Sequence, residues 1–138
     1  MQVIIHIDGG ARGNPGPAGA GVVICSAEDG TVLRQVGVFL GKATNNVAEY
    51  SGLVEALKQA QALGATDVEI RSDSQLLVRQ MTGEYRVKNE GLKPLFEKAS
   101  DFACTFKKFH ISHVRREQNT EADRLANRAM DLKRDIEE

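Results

Sequence analysis

The stretch IIHIDGGARGNPGPAGAGVVI, Ile4 to Ile24, decides how the chain folds. An apolar run of Val3, Ile4, Ile5 and Ile7 reaches a single carboxylate, Asp8. A glycine-dense turn broken by Pro15 and Pro17 follows, and Val22, Val23 and Ile24 lead away from it. Apolar runs of this length bounded by Gly and Pro predict strand, tight loop, strand, with Asp8 at the mouth of the loop. Gly9, Gly10, Gly13 and Gly16 leave the backbone bare, so a ligand can approach it closely. Read alone, Asp8-Gly9 is equally an ordinary turn signal. The positions of the other carboxylates decide between the two readings.

Outward from this pair, Ala27 to Gly30 predicts a hairpin turn and Thr31 to Leu40 a third strand, so the chain opens as an antiparallel meander. Thr44 is placed to cap a helix in which Tyr50, Leu53, Val54, Leu57, Ala60 and Leu63 recur at helical spacing. Gly64 ends it, and Glu49 lies in its second turn. Asp67 to Arg71 predicts a short strand that ends at Ser72-Asp73-Ser74 and feeds a helix from Ser74 to Thr82. Asn89 is expected to cap a third helix carrying Leu92, Leu95, Phe96, Ala99 and Phe102, with Pro94 early in it. Thr105 to Val114 predicts the last strand, and Thr120 starts the last helix, where Thr120-x-x-Asp123 fits a capping box. This order predicts an α/β fold. It calls for a mixed five-stranded sheet, three antiparallel then two parallel strands, with helices on both faces. Residues 1–135 are expected to form one domain, with 136–138 a frayed tail.

Composition narrows the function classes. The chain has 138 residues, 41% hydrophobic and 27% charged, as in an ordinary globular domain. A net charge of -1 supplies no global basic field, so a polyanion must be held by a local patch or by cations. No apolar run spans a bilayer, and Met1 runs straight into the first strand, so a signal peptide is not expected and a cytoplasmic location is. Cys25 and Cys104 are expected to be buried free thiols.

In the predicted layout the strand ends bearing Asp8 and Asp73 lie side by side, and the first and last helices can each lean a carboxylate toward them, Glu49 and Asp123. Each has a plainer reading: a solvated Glu49, a dipole-favoured Asp73 at a helix start, a capping Asp123. Four converging carboxylates repel unless cations neutralise them. All-oxygen ligands suit Mg²⁺ or Mn²⁺, and two such ions form a clamp for in-line attack at a phosphodiester. No Cys/His cluster has zinc spacing, and the glycine loop lacks the Gly-Lys-Ser/Thr of a P-loop.

Four motifs occur in order: I-D-G-G-A-R-G-N-P-G (Ile7 to Gly16), T-N-N-V-A-E (Thr44 to Glu49), R-S-D-S-Q (Arg71 to Gln75) and N-T-E-A-D-R-L-A (Asn119 to Ala126). Through them, and over nearly its whole length, the chain resembles type 1 ribonuclease H. The resemblance implies a ribonuclease H-like fold and a monomeric endonuclease.

 It further implies hydrolysis of the RNA strand of RNA–DNA hybrids, leaving 5′-phosphate and 3′-hydroxyl ends. By the same resemblance Asp8, Glu49, Asp73 and Asp123 are ligands of two Mg²⁺ ions, with Mn²⁺ able to substitute, and Asp8 bridges both. Glu49 also falls near the ribose 2′-hydroxyl beside the cut. Asn14, Asn45, Asn46 and Gln75 match minor-groove contacts, and Lys42, Thr44 and Asn89 match a pocket for a phosphate of the DNA strand.

Two departures stand out. Met81 to Asn89 leaves no room for the inserted basic helix and loop of many bacterial members, and the chain has no Trp. The loop before the last helix is cut to Arg115-Arg116-Glu117-Gln118. Arg116 is expected to stand in for the histidine of longer loops and to steady a phosphate by charge, while His113 belongs to the strand. Two rival readings are a same-fold DNA nuclease of the resolvase or transposase kind and a non-catalytic nucleic-acid-binding module. Asn89 and the T-N-N-x-x-E helix argue against the first, and retention of all four carboxylates argues against the second.

Overall fold

The structure, a computed structural model, describes all 138 residues. Strands β1 (Gln2–Ala11), β2 (Gly16–Ser26) and β3 (Val32–Ala43) form the meander. Helix α1 (Asn45–Ala62), strand β4 (Asp67–Ser72) and helices α2 (Gln75–Met81) and α3 (Lys93–Ala103) follow. Strand β5 (Lys108–His113), a short 3₁₀ turn (Arg116–Gln118), helix α4 (Thr120–Leu132) and strand β6 (Ile136–Glu137) complete the chain. The sheet order is β5-β4-β1-β2-β3-β6. β1 pairs antiparallel with β2 and parallel with β4, and β4 pairs parallel with β5, as the sequence predicts.

Alternation along β1 divides the core. Val3, Ile5 and Ile7 are fully buried on the face covered by α1, where Tyr50, Leu53 and Leu57 meet them. The opposite face is covered by α4, whose Ala122, Leu125 and Ala129 pack with Val23 and Ile136 in a second, smaller cluster. The α1 boundaries follow local chemistry. Thr44 accepts a hydrogen bond from the Val47 N–H at 3.2 Å, and Gly64 takes φ +76° just past the last turn.

Several expectations are corrected. The sheet has six strands, because the tail expected to fray adds β6 antiparallel to β3 at Val36 and Gly37. Burial of the Ile136 side chain against α4 holds it there, and Glu138 is gripped by Arg124 and Arg128. Asp8 lies inside β1 rather than at the loop mouth, because ladder pairing with β2 continues to Ala11 and the loop shrinks to Arg12–Pro15. Asn89 does not cap α3. Its Oδ1 accepts from the Gly91 N–H at 2.7 Å in the preceding turn, and Leu92 holds the cap position without a side-chain bond. Thr120 is already helical and Asn119 is the N-cap, so no Thr120–Asp123 capping box forms. Both cysteines are free, but Cys104 is exposed at the end of α3 and Cys25 is half-buried.

Candidate active site

Backbone pairing brings the first two carboxylates together. Ile7 of β1 lies beside Ser72 of β4, so the next residue on each strand, Asp8 and Asp73, emerges at the same end of the sheet. The Ser72 hydroxyl accepts from the Ser74 N–H at 3.0 Å, and the Ser74 hydroxyl caps α2 through the Leu77 N–H at 3.2 Å. Asp73 is therefore left uninvolved in capping, with its turn fixed on one side.

Two glycines bring the helices in. A Cβ at Gly9 would stand 2.4 Å from the Ala48 carbonyl, so only glycine lets α1 sit directly on β1 and deliver Glu49. On the other face Asp8 pairs with Gly21, where a Cβ would stand 1.8 Å from the Ala122 carbonyl oxygen. That bare backbone seats α4 and sets Asp123 beside Asp8. Asn119, 2% exposed, pins the start of α4 by donating its Nδ2 to the Ile7 carbonyl at 2.6 Å. Its own carbonyl accepts the Asp123 N–H at 3.1 Å.

Oxygen atoms of Asp8, Glu49 and Asp73 lie within 4.8 Å of one another. Burial, then a hydrogen bond shared with Asp123 and the charges of Asp73 and Asp123, push the Asp8 carboxyl up to about 8. Burial, then the charges of Asp8 and Asp73, push Glu49 up to about 9. One Glu49 oxygen, Oε2, is buried with no hydrogen-bond partner. A crowded set of hard carboxylate oxygens with an unpartnered acceptor fits a divalent cation.

These groups line a cavity of about 690 Å³. Asp8, Glu49, Asp73 and Asp123 all reach it, as do Asn45, Asn46 and Arg116. Asn14, Lys42, Thr44, Gln75 and Asn89 do not line it. Asn14 instead buttresses the wall: its Oδ1 accepts from the Asn45 N–H at 3.0 Å, and the Asn45 Oδ1 accepts from the Ala11 N–H at 2.8 Å. Lys42, Gln75 and Asn89 are exposed. His113, assigned to the strand, ends β5 and lines the cavity alongside Arg115 and Arg116. Sequence reading passed over Asn119 and Arg12. Asn119 sits within a quoted motif, but a buried asparagine and a loop asparagine look alike in sequence.

Strand order, helices seated on both faces and a carboxylate cluster at the strand ends define a ribonuclease H-like fold. Residues 6–129 match the family described as reverse transcriptase-like. The chain is 49% identical over 131 residues to the bifunctional protein Rv2228c of Mycobacterium tuberculosis, covering 95% of this chain and 36% of that one. It thus spans about a third of the length of its mycobacterial relatives. Among solved structures, RNase H1 of Halobacterium salinarum superposes with a TM-score of 0.92 at 41% identity, covering 96% of this chain and 99% of that one. LC11-RNase H1, solved in complex with an RNA/DNA hybrid, superposes with a TM-score of 0.89 at 45% identity, covering 95% and 98%. The chain belongs to the type 1 ribonuclease H family.

Proposed function

We propose that this chain is an endonuclease that hydrolyses the RNA strand of RNA–DNA hybrids, leaving 5′-phosphate and 3′-hydroxyl ends. The observation that carries the reading is the meeting of Asp8 from β1, Glu49 from α1, Asp73 from the β4–α2 turn and Asp123 from α4 in one cavity. Asp8, Glu49, Asp73 and Asp123 would hold two Mg²⁺ ions, with Mn²⁺ able to substitute. Bound there, such ions supply Lewis acidity to the attacking water and to the leaving oxygen. The protein's own part is to fix the carboxylates before substrate arrives, through the Gly9 and Gly21 helix seats and the Asn119 tie. Raised carboxyl pKa values mean that protons leave when cations bind, so loading strengthens as pH rises.

Asn45 and Asn46 on the cavity wall fit minor-groove contacts to a hybrid, with Asn14 bracing Asn45 and Gln75 at the start of α2 adding a further donor. Lys42, Thr44 and Asn89 are assigned to a separate phosphate of the DNA strand. Thr44 stands at the α1 N-terminus, where backbone N–H groups favour anions. Arg116 is assigned to steadying a phosphate during turnover. Residues 1–135, with β6 (Ile136–Glu137) added at the edge of their sheet, carry the activity, and the domain acts as a monomer.

The test is cleavage of a hybrid labelled on each strand, in Mg²⁺, in Mn²⁺ and in EDTA, beside DNA–DNA and RNA–RNA duplexes. Metal-dependent cutting of the RNA strand alone, silenced by Asp73→Asn in a folded protein, is expected. Cutting of branched or duplex DNA instead, or no cutting with either metal, would overturn the proposal.

A further inference from the structure

We propose that Arg12 binds a backbone phosphate of the nucleic acid a few nucleotides from the one that is cut; this rests on the function proposed above. The cavity is lined by five carboxylates, Glu117 being the fifth, and by three guanidinium groups, Arg12, Arg115 and Arg116. Arg115 and Arg116 follow β5, whereas Arg12 follows β1. In the sheet order, Asp73 at the end of β4 therefore lies between the strands that lead to the two cationic rims. A polyanionic strand laid over the carboxylates needs positive charge on both sides of them, and Arg12 is the one cavity-lining cation on the β1 side.

The Arg12 guanidinium is held in place before any ligand arrives. One terminal nitrogen, Nη2, donates to the Asn127 carbonyl at 3.3 Å and to the Asn127 Oδ1 at 3.1 Å. The other, Nη1, pairs with Asp131 at 2.7 Å. These contacts engage three of the five N–H groups of the fork and leave two for a ligand. The side chain is 46% exposed and lines the cavity. A pair this exposed adds little to stability in water, whereas a prepositioned fork loses little entropy on gripping a phosphate. Arg12 lies four residues beyond Asp8, no more than about 13 Å of extended chain, or the axial rise of roughly four nucleotides.

The experiment is a coupling cycle on hybrid binding, in Mg²⁺ and in the non-cleaving Asp73→Asn background. Hybrids each carry one neutral methylphosphonate at successive positions around the cut. Arg12→Ala is expected to weaken binding roughly tenfold, as loss of one charged hydrogen-bonded contact does. It should also reduce the slope of log affinity against log salt by about 1. One methylphosphonate within about four nucleotides of the cut should cost affinity with Arg12 present and nothing in Arg12→Ala. Arg12→Lys should recover the salt slope, and Asp131→Asn, which keeps the cation, should bind at least as tightly as its parent. Absence of any coupled position, or equal losses in Asp131→Asn and Arg12→Ala, would overturn the assignment and leave Arg12 a strap between the loop and α4. Failure of the unsubstituted protein to cut any hybrid would overturn the function itself, a result distinct from binding without coupling.

Discussion

Replacing Asn119 with Ala should damage the site through the fold. In the native chain the Asn119 side chain is buried and its Nδ2 donates to the Ile7 carbonyl at 2.6 Å, one residue before Asp8. Its Oδ1 has no partner. Truncation removes a short buried hydrogen bond and leaves the Ile7 carbonyl short of a donor, a cost of about 1–3 kcal/mol. Removing the unpartnered Oδ1 returns part of that, so a net loss of about 1–2 kcal/mol is expected. Urea unfolding should then show a lower midpoint with an unchanged slope. Because the Asn119 carbonyl accepts the Asp123 N–H and its own N–H donates to the Arg116 carbonyl, the first turn of α4 and the Arg116 turn loosen together. Mg²⁺ should then raise the melting temperature less than it does in the parent, and kcat should fall more than stability alone explains. A variant with the parent's metal response and kcat would refute the claim that Asn119 positions Asp123.

In EDTA, stability should fall as pH rises from 5 to 9. The folded protein keeps protons on Asp8 and Glu49 up to about 8 and about 9, while the unfolded chain releases them near 4, so the stabilising difference is present at low pH and lost through pH 8–9. Each retained proton contributes a slope of up to about 1.4 kcal/mol per pH unit. Thermal melts in which Asp8→Asn has the same pH slope as the parent would refute this. Arg116→Ala should slow steady-state turnover more than His113→Ala, and the reverse order would assign the helper role to the histidine ending β5. Ile136→Ala, truncating a buried residue of the α4 cluster, should cost about 2 kcal/mol in urea unfolding, and a loss under 0.5 kcal/mol would show that β6 contributes nothing.

The alternating strands and the α1 boundaries were legible because each rests on local chemistry: apolar period, capping and turn residues. The four carboxylates stood out as a set only through the motifs that carry the family resemblance, since locally Glu49 reads as a surface charge and Asp73 and Asp123 as caps. The sixth strand was not legible. Ile136 is one apolar residue among charges, and only the surface of α4 gives it somewhere to be buried. The capping-box reading of Thr120 and Asp123 failed for a related reason. Tertiary contact with β1 recruits Asn119 to the N-cap position and frees the Asp123 carboxylate for the cavity.

The glycines carry the larger lesson about how the site is assembled. In sequence, Gly9 signals a turn beside Asp8, and Gly21 is one more small residue in a strand. In the fold each lies under a helix, on opposite faces of one pair of strands, at the level of Asp8. A Cβ at either position would overlap helix backbone and force that helix outward. Glu49 and Asp123 would then retreat from Asp8, although no carboxylate had changed. Convergence of the charges is thus set as much by the missing side chains as by the acidic ones. Since the cluster lifts the Asp8 and Glu49 pKa values by proximity as well as burial, widening it should lower both.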